Sequence, residues 1–272
     1  MPPLPLFAEL KAPDQWRAID FISDLHLSPQ VPRTFEAWAA FMRGSRADAI
    51  FILGDLLEVW VGDDSRHGEF EASCVAVLNE AATSHDVRFM AGNRDFLIGQ
   101  DMLTASHAAL LPDPTVVDAF GRRVLLSHGD ELCRADVDYQ RYRALVRSAT
   151  FQQQFLSKPL VERQAFVRKL RDDSEARRRA AGQTQNVESM ADLDRLETLA
   201  WMNAAAAHVL VHGHTHQPAD EALDSTHLRH VLSDWELDAA GPAQARSEVL
   251  RWSARGFERM SPLAAVTTAP EA

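Results

Sequence analysis

Six short runs rich in Ile, Val, Leu and Phe punctuate the chain: AIDFIS (18–23), AIFIL (49–53), VRFMA (87–91), RVLLS (123–127), HVLVH (208–212) and HVLS (230–233). Each is strand-sized and apolar at nearly every position, as expected of a strand covered on both faces. Helical patterns over 33–43, 68–84 and 98–106 separate several of them. Strands alternating with helices predict an α/β core with buried sheets. One segment breaks the rhythm. From about 136 to 206 the chain reads as helix, interrupted mainly by Pro159 and Gly182, and it falls between RVLLS and HVLVH. It is read as a helical cap inserted into a single domain spanning 1–272. A further strand is predicted over SEVLRWS (247–253), and the tail from about 260, SPLAAVTTAPEA, is expected to be disordered.

Composition narrows the function classes. A chain of 272 residues, 46% of them apolar, can bury a substantial core. Net charge of −11 argues against a nucleic-acid binder, which needs a basic field to displace counterions. The acidity is uneven: RQAFVRKLRDDSEARRR (163–179) carries seven basic residues against three acidic ones. That run is either a solvated helix face or a surface that meets anionic lipid headgroups. No apolar run is long enough for a transmembrane helix, and MPPLPLFAELKAPDQW lacks the features of a signal peptide. Two cysteines, Cys74 and Cys133, make no disulfide framework, which fits a reducing cytoplasm.

The chemistry-bearing residues stand where the apolar runs end, the position at which open α/β sheets place their sites. The runs exit into Asp24-Leu25-His26, Gly54-Asp55, Gly92-Asn93-Arg94-Asp95, His128-Gly129-Asp130 and Gly213-His214-Thr215-His216. Seven of these groups, Asp24, His26, Asp55, Asn93, His128, His214 and His216, are oxygen or imidazole donors. Such a mixture suits Mn, Fe, Zn, Co or Ni rather than Ca. Alternation along a strand lets Asp24 and His26, and likewise His214 and His216, share a face. Glycine beside each ligand allows tight turns and close backbone approach. One Asp-x-His unit means little. Five such units in order, each closing an apolar strand, point to a metal centre.

The order DLH, GD, GNRD, HGD, HGHTH resembles the calcineurin-like metallophosphoesterase superfamily from about 17 to 235. The resemblance implies a four-layer αββα sandwich with two metal ions at one sheet end. It implies Asp24, His26, Asp55 and His216 on the first ion, and Asp55, Asn93, His128 and His214 on the second, so that Asp55 bridges. Two ions about 3.5–4 Å apart can clamp both the entering and the leaving phosphate oxygens. Many members have histidine where this chain has Arg94. Arginine gives no proton to a leaving alkoxide but offers a fixed, bidentate charge, suited to a diphosphate with a good leaving group.

GNRDFLIG (92–99), ILGDLLEVWVGDD (52–64) and HGDELCRADVDYQRYR (128–143) together resemble the UDP-2,3-diacylglucosamine hydrolase family. That resemblance implies cleavage of the UDP-sugar to UMP and 2,3-diacylglucosamine 1-phosphate in the lipid A pathway of Gram-negative bacteria. It also implies two Mn2+ per chain and a cytoplasmic enzyme peripherally associated with the inner membrane. It implies catalytic roles for Asn93, Arg94 and His214, and substrate contacts at Asn93, Arg94, Asp136 and His214, with Ser174 in the cap. Beyond that serine the family pattern has asparagine four residues on and lysine seven on, where this chain has Arg178 and Ala181. The rivals are a phosphoesterase for a soluble nucleotide on the same core and a non-catalytic scaffold. The full ligand set weighs against the scaffold.

Several residues have plainer expectations. His212 is read as a hydrogen-bonded core histidine and Cys133 as packing. Asp95 and Asp130 either orient neighbouring ligands or cap turns, while Asp63, Asp64 and SDWELD around Trp235 have no assigned role. Phe151, Phe155, Leu156, Leu160, Phe166, Val167 and Leu170 are either cap-to-core packing or a groove for acyl chains.

Overall fold

The computed structural model describes residues 3–180, 191–239, 241 and 245–270, with side chains for all of these except 171–180. The buried apolar runs form two six-stranded mixed sheets. In the first, β2 (Ala18–Ile22), β3 (Ala49–Leu53), β4 (Asp86–Met90) and β5 (Ala109–Leu110) are parallel. The antiparallel strands β11 (Val249–Ser253) and β12 (Gly256–Met260) extend that sheet beside β2. The second runs in the order β1 (Ala8–Lys11), β6 (Thr115–Ala119), β7 (Arg122–Ser127), β8 (Val209–His212), β10 (Leu228–Val231) and β9 (Ala219–Ala222).

The pleat explains why the inner strands are apolar throughout. In β3, Ala49, Phe51 and Leu53 join the core between the sheets, whereas Ile50 and Ile52 join the core under the helices. Those helices are α1 (Pro32–Gly44), α2 (Glu69–Ala81) and α3 (Gln100–Ser106), which supply Trp38, Phe41, Val77, Leu78 and Met102. In β7, Val124 and Leu126 face the first sheet, and Leu125 packs with Trp201 and Met202 of α7 (Arg195–Ala204). Three apolar cores thus separate four layers, the αββα order that the resemblance implies.

Between β7 and β8 come α4 (Val137–Val146), α5 (Ala149–Leu156) and α6 (Leu160–Ala180). Phe155 is buried in the helix-side core of the first sheet, with Phe151, Leu160 and Val167 packed against it. Leu156, Phe166 and Leu170 remain exposed, so packing accounts for only part of that apolar set. Arg163 is buried and donates to the carbonyls of Val61 and Lys158 and to Asp64. It therefore belongs to the docking of the cap and not to a solvated basic face. Among the described residues no helix is long and apolar enough to cross a membrane.

The structure departs from the sequence expectations in three places. α7, grouped by sequence with the cap, packs on the second sheet as its outer layer, and residues 191–194 before it are not helical. The strands β1, β5, β6, β9 and β12 have no counterpart among the predicted runs. The tail is ordered into α8 (Pro262–Thr267), where Ser261 caps the helix by accepting from Ala264 N at 3.1 Å and proline opens the first turn. Arg251 fixes it: this buried side chain donates to both oxygens of buried Asp20 at 2.7 and 2.8 Å, and to the carbonyls of Ala265 and Thr268.

Candidate metal centre

The seven sequence-predicted ligands all lie just beyond the carboxyl ends of β2, β3 and β4 in one sheet and β7 and β8 in the other. Alternation along an extended strand is not what aligns Asp24 with His26, or His214 with His216. These four and Asp55 have left-handed backbones, with φ of 54°, 49°, 69°, 53° and 53°. Each such residue costs about 1–2 kcal/mol relative to an ordinary conformation, a strain that concentrates at functional sites. Neighbouring backbone holds it in place. Leu25 N and His26 N both donate to Asp55 O, at 2.9 and 3.0 Å, and His214 N donates to the Asp24 carboxylate at 2.9 Å.

Glycine is required where these loops touch. Gly54 has φ +91°, and a Cβ there would overlap the His128 ring and the Gly92 backbone. A Cβ on Gly92 would overlap the Asp55 carboxylate and amide. Gly92→Ala is therefore expected to destabilise the protein by about 1–3 kcal/mol through overpacking. Thermal unfolding of the purified variant checks this, and an unchanged midpoint would contradict it.

The side-chain atoms converge as donors around cations would. His128 Nδ1 lies 2.9 Å from Leu53 O and must donate to it, which leaves the Nε2 lone pair facing Asn93 Oδ1 at 2.9 Å. A proton on Nε2 or a metal cation between the two atoms satisfies that contact. Asn93 Oδ1 is also 2.9 Å from His214 Nδ1, and His26 Nε2 is 3.2 Å from His216 Nε2. Separations near 3 Å are those of donors around an ion bound at about 2.0–2.2 Å. Asp55 turns Oδ2 towards His26 Nε2, at 3.9 Å, and Oδ1 towards His128 Nε2, at 3.8 Å. The ligand atoms of Asp24, His26 and His216 group within 4.8 Å, and so do those of Asp24, Asp55 and His128. Asp24 thus belongs to both groups, whereas the resemblance gives it to one ion.

The field of the site points the same way. Burial works against charge on His128 and His216, yet the carboxylates of Asp55 and Asp24 raise both to about 9. Burial, reinforced by the charge on His128, lowers His214 to about 3 and keeps its ring neutral. Burial also opposes ionisation of Asp24, but His216 holds its carboxyl well below the usual range. Carboxylates that draw protons onto buried imidazoles will draw a divalent cation into the same place.

The family model of the calcineurin-like phosphoesterases matches residues 18–218, a span that contains all seven groups. The chain belongs to that family. This phosphoesterase is also similar to the UDP-2,3-diacylglucosamine hydrolase of Xanthomonas oryzae pv. oryzae, with 43% identity over 235 residues, covering 81% of this chain and 95% of that one. The protein of the same name from Stenotrophomonas maltophilia is 42% identical over 224 residues, covering 79% and 90%. Among solved structures, a novel archaeal phosphodiesterase matches with a TM-score of 0.42 and 10% identity, over 89% of this chain and 98% of that chain.

Around the ligands, the structure gives the phosphoesterase a supporting shell. Asp95 accepts from the amides of Leu56 and Gly92 at 2.8 Å and from those of Asp55 and Leu57 at 3.3 and 3.4 Å. It is pushed up to about 7 by burial and by Asp55. Asp63 accepts from Gly99 N and Met102 N at the start of α3. His212 is buried and donates to Gly213 O at 2.8 Å, and burial pushes the Cys133 thiol up to about 12. Arg94 N donates to Asp55 Oδ1 at 2.8 Å, and burial raises the Tyr142 phenol of α4 against the opposing charge of Arg94. Asp136 is exposed and caps α4 by accepting from Tyr139 N at 2.9 Å. The side chains of Ser174 and Arg178, and Ala181, lie outside the described residues. Sequence reasoning missed Glu58 beside His26, Asp113 accepting from His128 N at 3.2 Å, and Asp234 held by Arg246 at 2.6 and 2.5 Å.

Proposed function

We propose that this phosphoesterase hydrolyses the pyrophosphate of UDP-2,3-diacylglucosamine to UMP and 2,3-diacylglucosamine 1-phosphate, using two Mn2+ and acting at the cytoplasmic face of the inner membrane. The observation that carries this reading is the seven-donor cluster beside Arg94, in a chain 43% identical to a protein of that name. When bound, the two ions supply Lewis acidity towards the phosphoryl oxygens and acidify the attacking water.

The chain's own residues do the rest. Asp24, His26, Asp55 and His216 would hold one ion, and Asp55, Asn93, His128 and His214 the other. The Asn93 amide and the His214 ring, whose Oδ1 and Nδ1 atoms lie 2.9 Å apart, would meet the phosphoryl group attached to uridine from the same side. Water adds to that phosphorus, and the bond to the bridging oxygen breaks. The sugar phosphate leaves with the bridging oxygen, and the hydroxyl remains on UMP. The leaving group is already a weak base and needs no proton, so a fixed cation serves better than an acid. Arg94 supplies that charge. Asp136 and Ser174 are the further substrate contacts in this reading, the side chain of Ser174 lying outside the described residues, and the exposed Phe166 and Leu170 would meet the acyl chains.

Purified protein supplied with Mn2+ and UDP-2,3-diacylglucosamine is expected to release UMP. If no UMP appears while a dinucleoside polyphosphate or cyclic nucleotide is turned over, the substrate is a soluble nucleotide instead.

A further inference from the structure

The histidines of the cluster differ in what stands behind their rings. His128 Nδ1 donates to Leu53 O at 2.9 Å. His216 Nδ1 faces Asp234 at 3.8 Å, beyond hydrogen-bond reach, and that carboxylate is bound to Arg246 through both oxygens. His26 Nδ1 is a buried atom with no aligned hydrogen bond, and Glu58 Oε2 stands 3.1 Å from it. Backbone pairing brings Glu58 there. The parallel pairing of β2 with β3 continues past the strand ends through a bridge between Leu27 and Leu57. Leu27 N donates to Leu56 O at 2.9 Å, and Glu58 N donates to Leu27 O at 3.1 Å. The same loop turns Asp55 Oδ2 towards the other ring nitrogen at 3.9 Å. The imidazole therefore lies between two carboxylates, one for each nitrogen.

We propose that Glu58 is the positioning residue for His26, holding the ring with Nδ1–H towards its carboxylate and the Nε2 lone pair towards Asp24, Asp55 and His216. A neutral imidazole carries one N–H, so a carboxylate that claims it at Nδ1 decides which nitrogen is free to bind an ion. Glu58 thereby sets the affinity of one ion and leaves the ion near Asn93 and His128 alone. The inference rests on the proposed two-ion centre, and its test separates the two ideas.

Full-length protein stripped by chelator is titrated calorimetrically with Mn2+ alone, as wild type, Glu58→Ala and Glu58→Gln. The wild type is expected to bind two ions. Glu58→Ala is expected to weaken one of them about 10–100-fold, the usual effect of losing such a partner, and to leave the other unchanged. Glu58→Gln keeps an accepting oxygen and falls between the two; it carries the test alone if Glu58→Ala does not fold. Thermal midpoints measured in chelator are expected to match the wild type, which a merely structural role would not allow. Wild-type affinities in the variants, equal weakening of both ions, or a lowered midpoint in chelator would overturn the role of Glu58 and leave the metal centre standing. A wild type that binds no Mn2+ overturns both.

Discussion

Asp55→Ala is expected to abolish UMP release, lowering turnover by at least about 10³-fold, the upper end of what losing one preorganised electrostatic group costs. The size follows from where the two oxygens point, 3.9 Å from His26 Nε2 and 3.8 Å from His128 Nε2. Asp55 thus offers one oxygen to each histidine pair, so on the proposed two-ion reading its loss takes a ligand from both ions together. The loop should survive the truncation. Asp55 O still accepts from Leu25 and His26, and Asp95 still gathers the amides of 55–57 and Gly92. Asp55→Asn, with one oxygen left, should retain partial metal content. Elemental analysis of bound Mn beside UMP release separates the cases, and turnover near wild type with full metal content would remove Asp55 from its bridging place.

That Asp55 could be named from sequence reflects how the fold presents it. A strand buried on both faces announces itself as an unbroken apolar run, and its end is then marked by the first glycine and charged residue, as in AIFIL-Gly54-Asp55. The same logic exposes β2, β4, β7 and β8. It fails at the margins. β1 (AELK) and β9 (ADEA) are edge strands with no buried residue and little apolar pattern to read. The left-handed backbones of Asp24, His26, Asp55, His214 and His216 were equally hidden, because none is a glycine, and those of Asp24, His26, Asp55 and His214 are tied by hydrogen bonds to other loops. The supporting carboxylates Glu58, Asp113 and Asp234 depend on register between loops and sheets, which residue types alone do not reveal. SPLAAV after β12 was legible in principle, since Ser-Pro is a helix start, but its burial depends on Arg251 and Asp20 from distant strands.

Asp130 carries the second large expectation, because it joins the cap to the metal loops. Its carboxylate is fully buried and accepts from Tyr139 Oη at 2.7 Å, Arg143 Nε at 2.8 Å and Arg147 Nη2 at 3.4 Å, while its carbonyl accepts from Gln140 at 2.7 Å. Three of these donors lie on α4 itself, and Arg147, in the turn that follows, also donates to Gly92 O at 3.0 Å, next to Asn93. Burial disfavours the charged carboxylate, but Arg147 and Arg143 hold Asp130 well below the usual range, so it is ionised at any working pH. Asp130→Ala takes this carboxylate from Arg147 and leaves Arg143 with Glu131, at 3.0 Å, which costs about 3 kcal/mol, the low end for breaking a buried ion pair. For a chain of this size that lowers the thermal midpoint by on the order of 10 °C. The ligand loops stand on the sheets and not on α4, so KM for the lipid substrate should rise more than kcat falls. Asp130→Asn keeps an acceptor for Tyr139 and should recover part of the stability but not the pairing with Arg143 and Arg147. An Asp130→Ala protein that unfolds at the wild-type midpoint with an unchanged KM would show that the cap is held by its apolar contacts, Phe155 foremost, and not by this carboxylate.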